Sequence, residues 1–339
     1  MNPGSRLRMP PEWEPHEMTL VAWPQREEAW RGTGIEEARR SHAEVIEAVA
    51  AFEPVLLIAD PEQADAARRA VTADGVELLP VPIDDSWLRD SGPIFVVDDE
   101  GRRAGVDFRF NAWGEAFTPY DDDAAVAARI LDHLGIEPIP SEMVLEGGSI
   151  TVDGAGRLAT TEQCLLAPTR NPEMDRDGIE QELKAKLGVD QVIWLGDGLV
   201  EDLDTDGHVD NVAAFIGPGR AVVQTVEAES DPNHEACREN ADRLRGAGVE
   251  VEELDLLPRI ERDGERVVVP YMNFYLANGA AIVPVGGYDP DMDAEALDTL
   301  GRLLPNREMV AVDGRTLALG GGGVHCITQQ VPVARRAVG

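Results

Sequence analysis

The sequence predicts an α/β protein built from five similar units arranged around a common axis. Three observations carry this. Short β-prone segments pair across glycine-bearing turns, which are ordinary hairpin signals. Helical stretches begin near residues 122, 174, 234 and 294, a period of about 50–60 residues, and a sustained period of this kind marks an array of like units. Each hairpin is also introduced by a short polar motif that carries chemically competent side chains.

The elements follow in order. Residues 18–23 read as a strand stopped by Pro24, 35–52 as an amphipathic helix, 55–59 as a buried strand, 61–71 as a helix and 76–82 as an extended run. The motif Asp84-Asp85-Ser86-Trp87-Leu88-Arg89-Asp90-Ser91-Gly92-Pro93 then opens a hairpin over 94–97 and 105–110, followed by a helix at 122–134. Leu145-Glu146-Gly147-Gly148 opens the next, over 149–152 and 158–161, with a helix at 174–187. Asp206-Gly207-His208-Val209-Asp210 opens the third, over 212–216 and 221–225, with a helix at 234–245. Tyr271-Met272-Asn273 opens the fourth, over 274–276 and 280–283, with a helix at 294–304. The fifth is the glycine run Gly320-Gly321-Gly322-Gly323 leading through Val324-His325-Cys326 into an apolar segment that ends at Gln330. No low-complexity linker interrupts the pattern, so a single domain over residues 1–339 is expected.

Composition narrows the function. The chain has 339 residues, 43% of them hydrophobic, enough for a sizeable core. Its formal net charge is −34, spread along the chain, with lysine only at Lys184 and Lys186. Such a field repels nucleic acid and anionic membranes and favours cationic ligands; a simply acidic, solvated surface accounts for most of it. No apolar run approaches a membrane span and no signal-peptide core precedes residue 14, so a cytoplasmic protein is expected. Cys164, Cys237 and Cys326 lie far apart and suggest no disulfide framework.

If the units surround an axis, the starts of equivalent strands converge, and Asp90, Glu146, His208, Asp210, Asn273 and Cys326 meet. A cysteine nucleophile needs a base or a positive charge nearby. His208 supplies a proton acceptor and donor, and Glu146 would fix its tautomer. Asp90 and Asp210 placed beside a thiolate would oppose its formation. They make sense if the substrate is a cation, and a planar guanidinium, whose N–H fork two carboxylates clamp, fits. Thiolate attack on its carbon would release ammonia and leave an amidino-thioether for water to hydrolyse, with no metal or organic cofactor required.

Each residue also has a plainer role. Cys326 could be a buried core thiol, Asp90 an ion-pair partner of Arg89, and Glu146 a turn carboxylate. His208 and Asp210 could ligate a metal, although no third ligand stands at metal-like spacing. Trp87 and Trp113 suit core packing as well as a cationic substrate. Asp202 and Asp204 either meet a distal amine or are solvated loop charges. His325, adjacent to Cys326 on an extended segment, would point to the opposite face and is not expected to be the base.

These motifs, with Met9-Pro10-Pro11-Glu12-Trp13-Glu14-Pro15-His16, Phe110-Asn111-Ala112-Trp113-Gly114 and His325-Cys326-Ile327-Thr328-Gln329-Gln330, resemble the agmatine deiminases of the guanidino-modifying pentein superfamily over nearly the whole chain. The resemblance implies a five-fold α/β propeller of ββαβ-type modules. It also implies Cys326 as nucleophile, His208 as general acid and base with Glu146 as its partner, and Asp90 and Asp210 as guanidinium clamp. The family reaction converts agmatine and water to N-carbamoylputrescine and ammonia; arginine or peptidyl-arginine deimination is the alternative on the same fold. Members are commonly homo-oligomers. Gly323 and Asp206 stand where the family usually has asparagine, Thr151 stands where it often has histidine, and the 115–120 stretch is short. These departures are expected around the pocket, where they bear on substrate identity.

Overall fold

The computed structural model describes residues 6–30, 32–262 and 265–334. Its repeating unit is a three-stranded sheet with one helix. In the first, Ile94–Val97 runs antiparallel to Arg103–Arg109, the chain crosses over through the helix Asp123–Leu134, and Glu137–Val144 returns parallel to the middle strand. The second has Thr151–Val152, Arg157–Thr161, helix Arg176–Leu187 and Gln191–Leu195 in the same order. The third has Ala213–Gly217, Arg220–Gln224, helix His234–Gly246 and Glu250–Leu254. The fourth has Tyr275–Ala277, Ala280–Val285, helix Pro290–Leu303 and Glu308–Asp313.

The fifth unit is assembled from both ends of the chain. Thr328–Pro332 supplies its first strand and pairs antiparallel with His16–Ala22, with Leu20 opposite Gln329. Helix Ile35–Ala50 follows, then Val55–Ala59 parallel to the N-terminal strand and Val76–Pro80 as an added edge. The N-terminal strand expected at 18–23 is therefore the missing second strand of the C-terminal hairpin. A further antiparallel hairpin, Arg259–Arg262 with Glu265–Val268, lies between the third and fourth units and was not expected from the sequence.

Local chemistry explains the elements. Helix Pro290–Leu303 starts where Asp289 accepts hydrogen bonds from the Asp291 and Met292 amides, at 3.2 and 3.1 Å, with proline at its first position. One stripe of it, Ala296 and Leu300, is fully buried in a cluster with Ala281 and Val283 of its own sheet. Burying a side chain such as Leu300 stabilises by about 1.5–3 kcal/mol. Helix Arg176–Leu187 is capped by Asp175, which accepts from the Gly178 amide at 2.9 Å, and buries Ile179, Leu183 and Leu187 in the same way.

The introducing motifs touch one another in a closed ring. The Arg89 guanidinium donates to the His325 carbonyl at 3.3 Å, joining the fifth unit to the first. The Gly148 amide donates to Asp90 Oδ1 at 2.9 Å, joining first and second. Gly148 also abuts His208 of the third. Asn273 of the fourth donates to Asn211 Oδ1 at 3.0 Å and accepts from the His325 amide at 2.9 Å. Five sheets whose equivalent corners meet in sequence make the α/β pentein propeller. No helix among the described residues is long and apolar enough to cross a membrane.

Candidate active site

Four of the five motifs form a single helical turn ahead of their strand: Leu88–Ser91, Gly147–Ser149, Val209–Asn211 and His325–Ile327. The turns present Asp90, Glu146, His208, Asp210 and Cys326 toward the centre of the ring, all buried. Gly148 marks the meeting point. A Cβ there would lie 2.6 Å from His208 Nδ1, 2.9 Å from Asp90 Oδ1 and 3.0 Å from Asp210 Oδ2, so only glycine lets these three groups close around one spot.

Asp90 is not the partner of Arg89, which instead donates to Glu12 at 3.2 Å and Gln330 at 2.7 Å. Its carboxylate accepts from Gly148 and, at 3.0 Å, from the Trp113 indole N–H. Burial, opposed by His208 and aided by the neighbouring charges of Asp210 and Glu146, pushes the Asp90 carboxyl up to about 6. Trp113 reaches it from a backbone run in the left-handed region: Ala112, Trp113, Gly114 and Glu115 have φ of 51°, 55°, 85° and 64°. Asn111 holds the run, accepting from the Gly114 amide and donating to the Thr169 carbonyl, both at 2.9 Å. Strain of this kind collects at functional sites.

Asp210 Oδ2 accepts from His325 Nδ1 at 2.9 Å and stands 3.6 Å from Cys326 Sγ, while its Oδ1 has no partner among the described residues. Burial raises its pKa, but His325, His208 and Arg89 pull it below the ordinary carboxylate value. Asn273 flanks the sulfur, its amide nitrogen 3.4 Å away. Burial and the charges of Asp210 and Asp90 push the Cys326 thiol well above its usual value. His208 Nδ1 lies 3.8 Å from Asp90 Oδ1, and neither ring nitrogen has a hydrogen-bond partner among the described residues. Burial disfavours its imidazolium, yet Asp90, Asp210, Glu146 and Asp202 together raise its pKa.

The structure corrects several expectations. Glu146 does not hydrogen-bond His208: its Oε1 is taken by Arg170 Nε at 2.6 Å. Arg170, itself buried, also binds Asp206 at 2.7 Å and the Thr205 carbonyl at 3.1 Å, so one guanidinium ties Glu146 to the loop that carries His208. Asp202 is engaged as a loop charge. Its carboxylate accepts from Thr205, the His208 amide and Asn211 and folds that loop. A cluster of metal-capable donors does exist, although not on the His208–Asp210 pair considered from sequence: ligand atoms of Glu146, Cys164 and His208 lie within 4.8 Å of one another. The Arg170 guanidinium already supplies the cation there. Two departures from the family pattern lie off the cavity wall: Thr151 Oγ1 accepts from the Phe215 amide at 3.4 Å, and Asp206 pairs with Arg170. Gly323 leaves room for Asn273, whose Oδ1 would be 2.2 Å from a Cβ at that position.

A narrow cavity lies against Cys326. Trp87, Trp113 and Phe117 form its apolar walls, and Asp85 and Asp204 are acidic groups along it. Trp87 stacks on the buried Trp30 with ring centroids 5.5 Å apart, and Gly322 lies so close to Trp87 that a Cβ would be 2.4 Å from its ring. The glycine run is thus shaped by tryptophans as much as by the cysteine. Asp85 was not foreseen; it accepts from the Ser86 amide at 2.8 Å and lies 3.1 Å from Arg26 Nε, and its burial raises its carboxyl to about 6.

A closed ring of five α/β units around a buried thiol, a buried histidine with no hydrogen-bond partner among the described residues and converging carboxylates defines a pentein-type, guanidino-group-modifying protein. The comparisons then assign the family. The model of the Porphyromonas-type peptidyl-arginine deiminases matches residues 8–332, and the chain belongs to that family. It is 40% identical to an agmatine deiminase of Pseudomonas aeruginosa, over 98% of this chain and 97% of that one. Among solved structures, an agmatine deiminase of Enterococcus faecalis is 34% identical with a TM-score of 0.92, over 97% of this chain and 96% of that one. A Cys-to-Ser variant of the C. jejuni agmatine deiminase with substrate bound is 31% identical with a TM-score of 0.90, over 98% of both.

Proposed function

We propose that the protein hydrolyses the guanidinium of agmatine to N-carbamoylputrescine and ammonia through a covalent intermediate on Cys326. The observation that carries this is the convergence of Asp90, Asp210 and His208 on the space at Gly148, next to the Cys326 thiol. The relatives named agmatine deiminases support the choice of substrate.

The charges of the site support the chemistry. The carboxylates Glu12, Asp90, Glu146 and Asp210 lie against Arg89, Arg170, His208 and His325, and Asp206 on Arg170 and Asp202 near His208 leave the site net acidic, which favours an entering cation. A guanidinium entering between Asp90 and Asp210 adds one positive charge there and so eases ionisation of the Cys326 thiol. The thiol, held protonated in the free protein, therefore loses its proton to solvent as substrate binds. The thiolate attacks the guanidinium carbon and forms a C–S bond. His208, as imidazolium, gives a proton to one amino group; the C–N bond breaks and ammonia leaves. Neutral His208 then takes a proton from water as the hydroxide adds to the thiouronium carbon. Collapse expels the thiolate, and loss of one proton gives the ureido product. Glu146, fixed by Arg170, stabilises the imidazolium electrostatically and not through a hydrogen bond.

No arginine or lysine lines the cavity among the described residues, and Asp85 and Asp204 are among its lining groups. That supports agmatine, whose tail ends in an ammonium, over arginine, whose carboxylate would meet these acids; Asp204 is the candidate partner of the amine. The reading needs no cofactor and treats the protein as a cytoplasmic enzyme of small cationic substrates. Agmatine, arginine and an arginyl peptide assayed side by side for ammonia and ureido product test it. Turnover of agmatine alone is expected, and turnover of the peptide alone would overturn the assignment.

A further inference from the structure

Both ring nitrogens of His325 are bonded, although nothing in the sequence pointed to a part for it. Nδ1 is 2.9 Å from Asp210 Oδ2 and Nε2 is 2.8 Å from Glu12 Oε2. An ionised carboxylate has no proton to give, so each contact needs an N–H on the ring, and a ring with two is an imidazolium. Glu12 is held as an acceptor on its other sides as well: the Leu276 amide donates to Oε1 at 2.8 Å and Arg89 donates to Oε2 at 3.2 Å. The ring cannot turn without losing a charge-assisted bond at one end.

We propose that His325 is a positioning residue for the deimination, an imidazolium clamped by Glu12 that aims Asp210 at the guanidinium. Its bond to Oδ2 leaves Oδ1, which has no partner among the described residues, as the oxygen presented to substrate. The anchor comes from the segment just ahead of the N-terminal strand that closes the ring, where Glu12 also accepts from Arg89 of the first unit and the Leu276 amide of the fourth. The inference rests on the reading of Asp210 as one arm of the clamp. Burial and Arg89 work against the imidazolium, and Glu12 and Asp210 outweigh them, which leaves the His325 pKa raised. These groups, with the Cys326 thiol and with His208 across Asp210, are the charged and titratable neighbours that bear on the pH behaviour.

Two amide variants separate the ends of the ring. The side-chain nitrogen of His325→Asn occupies the region of Nδ1 and can still donate to Asp210. That of His325→Gln occupies the region of Nε2 and keeps only Glu12. Steady-state kinetics with agmatine, melting temperature and the pH profile of kcat/KM are measured for both, beside Asp210→Asn and Glu12→Gln. His325→Gln is expected to raise KM by about tenfold or more and His325→Asn by less, because a charge-assisted bond to the clamp is lost in the first and only weakened in the second. In both, loss of the cation raises the pKa of Asp210, so the acid limb moves to higher pH. Should neither variant fold, Glu12→Gln serves: with its anionic partner removed, His325 loses its proton at lower pH and the alkaline limb moves down. Wild-type KM and pH limbs in the His325 variants and in Glu12→Gln, with Asp210→Asn impaired, would overturn the positioning role while leaving the clamp. Wild-type kinetics in Asp210→Asn would overturn the clamp, and the positioning role with it.

Discussion

Gly148→Ala is a one-carbon perturbation of the point where three units meet. The methyl would sit 2.6 Å from His208 Nδ1, 2.9 Å from Asp90 Oδ1 and 3.0 Å from Asp210 Oδ2, against an ordinary lower limit of 3.4 Å. The histidine must therefore give by about 0.8 Å and the carboxylates by about half that. None is the free end of a long chain: all three are buried, and Asp90 is bonded to Trp113 and Asp210 to His325. Misplacing a reacting group by about 1 Å costs on the order of 10²-fold in rate, and overpacking a core site costs about 1–3 kcal/mol of stability. The expected variant is folded, melts a few degrees lower, and releases ammonia from saturating agmatine about 10²-fold more slowly. A kcat within about threefold of wild type would refute the convergence of His208, Asp90 and Asp210 on this spot.

Other consequences can be checked together. Arg170→Met leaves the Glu146 carboxylate buried without its cation, and breaking a buried pair in this way costs about 3–5 kcal/mol; chemical denaturation should show it, and an unchanged midpoint would contradict the pairing. The clamp needs Asp90 ionised, so kcat/KM should fall as pH drops through about 6, and a profile flat down to pH 5 would count against that role. Ligand-free protein should melt higher at pH 6 than at pH 8.5. Asp123, whose folded pKa is raised to about 8, binds a proton more tightly when folded and loses that contribution as pH rises from 6 through 8, whereas Asp85 and Asp90, raised to about 6, have lost most of theirs by pH 6. The raised His208 and His325 act in the same direction. His42, lowered to about 4 by its burial, opposes them only below its unfolded pKa of 6.5. A melting temperature that climbs with pH over this range would contradict these burials.

The repeat was legible because each hairpin carries a turn signal and each helix a buried stripe, and because the motifs occupy the same place in successive units. Asp90, Glu146, His208, Asp210 and Cys326 were read from that equivalence, and the structure brings all of them to the centre. The third strand was legible in the fifth unit, as the buried run 55–59, but not in the other four. Glu137–Val144 contains Pro138 and Pro140, and Glu250–Leu254 is mostly acidic. Both are edge strands, where prolines and charges are tolerated, so they lack the apolar alternation that marks a strand. Closure of the ring by the N-terminal strand is a non-local pairing that no local pattern encodes.

The supporting charges were hidden for a different reason. Arg170 sits in a polar loop of an arginine-rich chain, and its burial depends on Glu146 from the motif that opens its own unit and on Thr205 and Asp206 from the loop that leads into the next. The one available signal was a carboxylate, Glu146, in a motif with no cation of its own. His325 was set aside by assuming an extended segment, on which neighbouring side chains alternate. The segment is instead a helical turn, so His325 and Cys326 both reach Asp210.

The central claim is that Cys326 attacks a guanidinium carbon. Acid quenching of wild type and of His208→Asn during turnover of agmatine, followed by intact-mass and peptide mass spectrometry, tests it most directly. The account predicts a gain equal to agmatine less ammonia, located on the Cys326 peptide, enriched in the histidine variant and absent in Cys326→Ala. Ammonia release by Cys326→Ala, or an adduct located at Cys164 or Cys237 instead, would contradict it.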